Sequence, residues 1–390
     1  MLMTKKQKTK LSKKGWISSF NLVGRAKIND YTYKFDEKSE KSDWVYNTIN
    51  LGVDCGNNGT VYCEMMGGYG SERDNVIYVH GRKEDGQDDF ENRFEIDWDD
   101  RNDESILEDV GDLCFITIGL EKDKNDKTYA KKFLSAYDAI NYINEHLEDG
   151  TIVNVKGNLQ YSKYQGNIQV KKIINSIFLS KVEDVDKFKS TFTQTMLLKK
   201  DSVGEPNKEK GSIPIYATVI DYTKFWGDKE VKTFVPFNKI FEYECDLDNK
   251  ELTKKIIAKL FKVKKNCTEI TFEGELIEGG AIITATEDDL TEDIKELIEL
   301  GIMTKEEALT KCVEGTSREK RMLLRKPLIK MVGDEGEKIA VVQKFEDKCK
   351  EEDLILDFML NDNENDDDEE VDDCSEDVSD DDLSFLDDLD

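Results

Sequence analysis

SAYDAINYINEHLEDGTIVNVKGNLQYSKYQGNIQVKKIINSIFLS, residues 135–180, changes its hydrophobic period part-way along. Ala136, Ile140, Ile143 and Leu147 recur at helical spacing until Gly150 stops the run, and Ser135 with Asp138 three residues on reads as a capping box. Beyond Gly150, Ile152 to Tyr161 and Ile168 to Leu179 are rich in β-branched and aromatic residues and predict strands. Gln165-Gly166-Asn167 between them predicts a hairpin turn, because Gly and Asn tolerate the positive φ that a tight turn requires.

A helix followed at once by a hairpin is the order of a five-stranded Greek-key OB barrel, in which a helix commonly lies between the third and fourth strands. Upstream, Phe20 to Ile28, Trp44 to Cys55, Thr60 to Met66, Val76 to His80 and Leu113 to Leu120 also read as strands, with a second hairpin signal at Asn57-Asn58-Gly59. The expected fold is therefore mainly β with α additions: an OB-fold-like barrel over residues 15–198. An acidic insertion at 85–112 interrupts it, with 13 Asp or Glu against Arg93 and Arg101. After a polar linker at 199–211, a second β-rich unit over 212–288 repeats the theme, with strands at Ile213 to Asp221, Glu230 to Phe237, Thr268 to Leu276 and Ala281 to Ala285 and a helix from Asn249 to Phe261. Periodicity fits either a second OB-like barrel, the reading preferred here, or completion of one larger β domain. A helical region follows at 289–360; within it, Ser317 to Val332 reads as a basic amphipathic helix broken near Pro327, or as a helix with a charged outer face.

The 390 residues hold 85 Asp plus Glu against 56 Lys plus Arg, a net charge of −29. Seventeen of the carboxylates and no Lys or Arg fall in residues 361–390, which leaves −12 for residues 1–360. That terminal run is expected to be a disordered acidic tail, and the six lysines of residues 1–14 a flexible basic arm. No uninterrupted apolar run is long enough to span a bilayer and the N-terminus lacks the apolar core of a secretory signal, so a cytoplasmic location is expected.

Eight cysteines without a C-x-x-C pair argue against a disulfide scaffold or a zinc ribbon. Cys55, Cys63 and His80 could contribute to a metal site, but ordinary reduced thiols are the simpler reading, so no metal or other cofactor is expected. Phosphate-loop, nucleophile-elbow and H-E-x-x-H motifs are absent, and the chain has 2 histidines. Asp97, Asp99, Asp100 and Asp103 offer a remote nuclease reading, against the usual fate of such a run as a solvated acidic face. No enzyme activity is expected.

Residues 151–200 reverse the overall charge, with nine lysines against Glu183, Asp184 and Asp186. Lys156, Tyr161, Lys163, Tyr164, Lys171 and Lys172 mix cations with rings over a short span, the mixture that single-stranded nucleic acid asks for: charge along the phosphates, flat rings against the bases. Strand alternation puts Lys156 and Tyr161 on opposite faces, so the rings cannot all share one surface. Arg25, Lys27, Tyr33, Trp44 and Tyr46 are further candidates, as are Lys224, Phe225 and Trp226 beside the Gly227-Asp228 turn. For each ring taken singly, core packing is the commoner fate.

The chain ends DDDLSFLDDLD from Asp380, placing Leu383, Phe385, Leu386 and Leu389 among aspartates. With the OB-like body, this layout resembles single-stranded DNA-binding proteins of the bacterial and phage type. The resemblance implies a non-enzymatic protein that coats single-stranded DNA, or RNA, during replication, recombination and repair. It further implies that Leu383, Phe385, Leu386 and Leu389 form a partner-binding tip, while the tail competes with DNA for the basic groove. The ending departs from the bacterial D-D-D-I-P-F by closing on Asp390, and the insertion and second β unit look more like a large phage protein, whose host's cytoplasm would be its location. The contrasting reading from another class is an acidic protein-binding virion or replication accessory factor.

Overall fold

The computed structural model describes residues 15–164, 167–208, 210–227, 229–245, 249–279, 294–295, 298, 300, 303–304, 320–333 and 338–360. The basic arm, the acidic tail with Leu383, Phe385, Leu386 and Leu389, the strand expected at Ala281 to Ala285 and most of residues 289–319 of the expected helical region lie outside them.

The chain opens with β1 (Ser18–Lys27), β2 (Tyr33–Lys38), β3 (Trp44–Asp54) and β4 (Thr60–Gly70). An excursion follows, of β5 (Val76–Arg82), β6 (Asp88–Asp97), α1 (Glu104–Leu107), β7 (Ile116–Lys122) and β8 (Thr128–Phe133); then come α2 (Ala136–His146), β9 (Ile152–Tyr164) and β10 (Asn167–Leu179). β1 pairs with β3, β3 with β4, β4 in parallel with β10, β10 with β9, and β9 returns to β1. That circuit closes a five-stranded barrel with the OB order, and α2 lies between its third and fourth strands as the sequence predicts.

Alternation explains the interior. Phe20, Leu22, Ile49, Leu51, Val61, Val153 and Val155 point inward and are buried, and α2 covers one end with Ala139, Ile140 and Ile143. Each such aliphatic contributes about 1.5–3 kcal/mol by leaving water. Ser135 caps α2 by accepting from the Tyr137 N–H at 3.1 Å. Asp138 does not close the expected box: its carboxylate takes the Arg101 guanidinium at 2.6 and 3.1 Å, and Arg101 lies over the Trp98 ring. The acidic insertion is thereby pinned to α2. Its β5–β6 hairpin forms a separate sheet with a small core of Val79, Ile96, Val110 and Phe115.

The second unit repeats the circuit. Its strands are β11 (Lys189–Val203), β12 (Ser212–Trp226), β13 (Lys229–Glu244), β14 (Cys267–Glu278) and β15 (Lys320–Pro327), with α3 (Lys250–Leu260) between β13 and β14. β11 pairs with β12, β12 with β13, β13 in parallel with β15, β15 with β14, and β14 with β11. Two sequence expectations are corrected here. Residues 199–203, assigned to a linker, continue β11, and Lys320–Pro327, read as a basic helix, is the closing strand. Its basic residues face acidic neighbours: Arg321 donates to Glu242 at 2.6 Å, and Arg325 to Glu275 at 2.7 Å. Residues beyond it form β16 (Ile329–Val332), β17 (Ile339–Val342), β18 (Lys344–Cys349) and a last turn, α4 (Asp357–Leu360).

The first strands of the two barrels pair antiparallel, with Phe20 opposite Phe192. Phe20 is also opposite Gly157, and Phe192 opposite Gly274, so the two circuits share one packing device. A Cβ on Gly157 would stand 1.8 Å from the Ile173 carbonyl oxygen, and one on Gly274 2.2 Å from that of Leu323. In each barrel only glycine lets the fifth strand close over a phenylalanine.

Candidate nucleic-acid interface

Even-numbered residues of β3 point away from the first barrel's core. Trp44, Tyr46, Thr48 and Asn50 therefore form one row, while Val45, Ile49 and Leu51 fill the interior. The paired strands extend this surface: Met66, 61% exposed, lies opposite Thr48, Glu64 opposite Asn50, and Tyr62 opposite Gly52. Lys34 on β2 also faces Thr48, and Lys27 on β1 faces Gly52. Buried Asn47, on the opposite side of β3, ties β2 beside this row, accepting from the Asp36 N–H at 2.9 Å while donating to Asn141 at 2.9 Å. The outcome is a sheet face with partly exposed rings at one end and cations along it.

Around the barrel the predicted residues divide. Arg25 packs its guanidinium 5.7 Å from the Phe188 ring, and Lys27 lies 3.8 Å from Asp54. Tyr33 faces the core side of β2, stacked on Phe35 at 5.9 Å, and burial pushes its hydroxyl up to about 12. Lys156 is exposed but stands opposite Asn21, on a polar surface formed with β1 and β11 rather than on the row of rings. Lys171 is on the outer face, ion-paired to Glu64 at 2.8 Å. Tyr164 ends β9 opposite Asn167.

Three expectations are overturned by burial. Tyr161 is 1% exposed and donates its hydroxyl to Gln194 at 3.0 Å, so its ring belongs to the core and cannot stack on a base. Lys172 is buried in an ion pair with Glu278, 106 residues away, and is no phosphate-tracking lysine. Trp226 packs against Phe237 and Phe358 beneath the Lys163 ammonium. The β9–β10 and β12–β13 hairpins do meet there, but through a covered ring. Phe225 and Lys224 remain exposed at the tip, and Tyr222 is exposed beside them.

The corresponding face of the second barrel is partly covered. Ile220 on β12 is buried with Leu197, Cys267 and Leu354, and Trp16 packs on the same cluster. Ile220 thus interrupts the row on the second barrel, leaving Tyr216 and Tyr222 exposed on either side of it, while the row on the first barrel is continuous. Lys34 and Met66 on that row were missed in the sequence; alternation across from β3 was the signal that could have found them.

Chemistry beyond binding finds little footing. Cys55 and Cys63 lie in the barrel core, where burial pushes the Cys55 thiol up to about 12, whereas His80 lies in the β5–β6 hairpin. There His80 Nε2 meets Asp88 at 2.7 Å, and Cys114 Sγ lies 3.2 Å from Nδ1 and 3.8 Å from Nε2. Near-equal distances to both nitrogens put the sulfur against the ring face, out of line with the Nδ1 lone pair, so this is packing and not a proton relay. Asp103 caps α1 through the Ser105 N–H at 2.9 Å, and no metal-holding group of three His, Cys, Asp or Glu occurs among the described residues.

The model of the YorF family matches residues 81–308. No curated protein matches the chain. Among solved structures, the wild-type single-stranded DNA binding protein from Thermus aquaticus is similar at 8% identity and a TM-score of 0.33, covering 82% of this chain and 95% of that one. A deletion mutant of the Thermus aquaticus protein gives 9% identity and a TM-score of 0.30, covering 82% and 96%.

Proposed function

We propose that this chain, which belongs to the YorF family, binds single-stranded DNA on the outer face of β3 and β4. One juxtaposition carries the reading: Trp44 and Tyr46 stand in a single row on the second strand of a closed OB barrel, with Lys34 and Lys27 on the same face. The second and third strands are where this fold presents its oligonucleotide surface. Rings on that surface offer stacking to any base, and the lysines offer charge to phosphates, so binding is sequence-tolerant and weakens with salt. RNA is the natural competitor for the same face.

The role is that of a phage-type coating protein acting in the host cytoplasm during replication, recombination and repair. In this reading the tail of 17 carboxylates competes for the cationic surface, and Leu383, Phe385, Leu386 and Leu389 recruit partners. Fluorescence anisotropy with a labelled oligo-dT, for full-length protein and for a chain ending at Leu360, tests it. Both should bind at low salt, the shorter chain more tightly. Absence of binding by both at low salt sinks the proposal; equal affinity of the two removes the competing role of the tail.

A further inference from the structure

The ring-bearing row does not end in open solvent. Asn50, Tyr62 and Glu64 are also the wall of a cleft of about 740 Å³ between the two barrels, closed on the far side by β13, β14 and β15. From Trp44 to Asn50 is six residues of strand, roughly 20 Å at ~3.3 Å each.

Five basic side chains line the cleft, and three are matched. Lys171 pairs with Glu64 at 2.8 Å, Lys172 with Glu278, and Arg321 with Glu242 at 2.6 Å. Lys239 and Lys320 have no carboxylate partner among the described residues. Lys239 is partly buried, and that burial, with the positive charges of Lys172 and Lys320 near it, holds its ammonium below the usual lysine range. A half-buried cation repelled by two others is destabilising unless an anion joins it. Thr60 and Asn50 add a hydroxyl and an amide to the same wall, donors that suit a phosphate oxygen.

We propose that the inter-barrel cleft is a phosphate site, in which Lys239 and Lys320 hold the anion and Asn50 and Thr60 orient it. Resting on the function proposed above, the natural occupant is a phosphodiester of the strand stacked on β3; a free phosphate or diphosphate shares its chemistry. The cleft therefore ties the second barrel to a strand whose bases lie on the first.

The test uses the full chain and the double variant Lys239→Gln/Lys320→Gln, with Lys83→Gln/Lys124→Gln as a control that removes the same charge from exposed positions elsewhere. Oligo-dT affinity is measured against salt concentration, and pyrophosphate binding to DNA-free protein is followed by calorimetry and by its effect on Tm. Losing the one phosphodiester contact that the two lysines share should lower the magnitude of the log–log salt slope by about 0.7. Pyrophosphate should raise the Tm of the wild type and of the control but not that of the cleft variant, whose own Tm without anion should be no lower than wild type. An oligo-dT slope and a pyrophosphate response both unchanged in the cleft variant would overturn the site while leaving the DNA-binding reading intact. Pyrophosphate binding that depends on the two lysines, in a protein that does not bind oligo-dT, would keep the site and overturn that reading instead.

Discussion

Removing the Glu278 carboxylate should be among the most damaging single substitutions in this molecule. Glu278 on β14 and Lys172 on β10 are each 8% exposed, so both charges have given up most of their water to meet between the barrels. Glu278 also accepts the Tyr62 N–H at 3.2 Å, which joins β4 to the same carboxylate. Glu278→Ala leaves the Lys172 ammonium buried without its counter-charge, and breaking a buried pair from one side costs about 3–5 kcal/mol. Lys172→Met/Glu278→Leu takes both charges away together with their desolvation cost, and should lie within about 1 kcal/mol of wild type. Urea unfolding followed by far-UV circular dichroism and tryptophan fluorescence gives both numbers. A single-variant loss below about 1 kcal/mol would mean that water reaches the pair and the burial argument is wrong. A double variant as unstable as the single would mean that shape, not charge, holds this junction.

Three further outcomes are expected. Trp44→Ala and Tyr46→Ala should each weaken oligo-dT binding by about 5- to 150-fold, the equivalent of ~1–3 kcal/mol per stack, with circular dichroism unchanged; wild-type affinity in both variants would refute stacking on this row. Tyr33→Phe should stabilise the protein modestly at neutral pH, because the buried hydroxyl has no hydrogen-bond partner among the described residues. An unfolded tyrosine loses its proton near 10 while folded Tyr33 holds it to about 12, so stability should fall as pH rises through that window, and less steeply in the phenylalanine variant, as alkaline unfolding curves would register. Cys55 and Cys267, both pushed up to about 12 by burial, should resist a thiol reagent at pH 8 until the protein is denatured; reaction within minutes in the native state would show that the core is open to solvent.

What the sequence revealed was local. The α2 helix and the β9–β10 hairpin were legible because their signals lie within a few residues of one another, and the first barrel's order followed from their sequence. Long-range pairing was not. β15 read as helical because Met322, Leu323 and Leu324 form an unbroken apolar run between basic residues; the run is a strand buried on both faces, and Arg321 and Arg325 answer carboxylates on β13 and β14. The same cause moved Lys172 and Trp226 off the candidate surface: the Glu278 and Phe358 that claim them are more than 100 residues away. The outward direction of Trp44 and Tyr46 was legible because strand alternation alone decides which way they point.

The antiparallel contact of β1 with β11 has a consequence for assembly. Two barrels of like circuit, meeting strand one to strand one across Phe20 and Phe192, have the geometry of a symmetric dimer, yet here one chain supplies both halves. Their association is therefore intramolecular and does not weaken on dilution, as the pairing of separate subunits would. Covalent continuity also frees the halves from being identical, so that one can keep a continuous outer row while Leu354 and Trp16 cover the middle of the other.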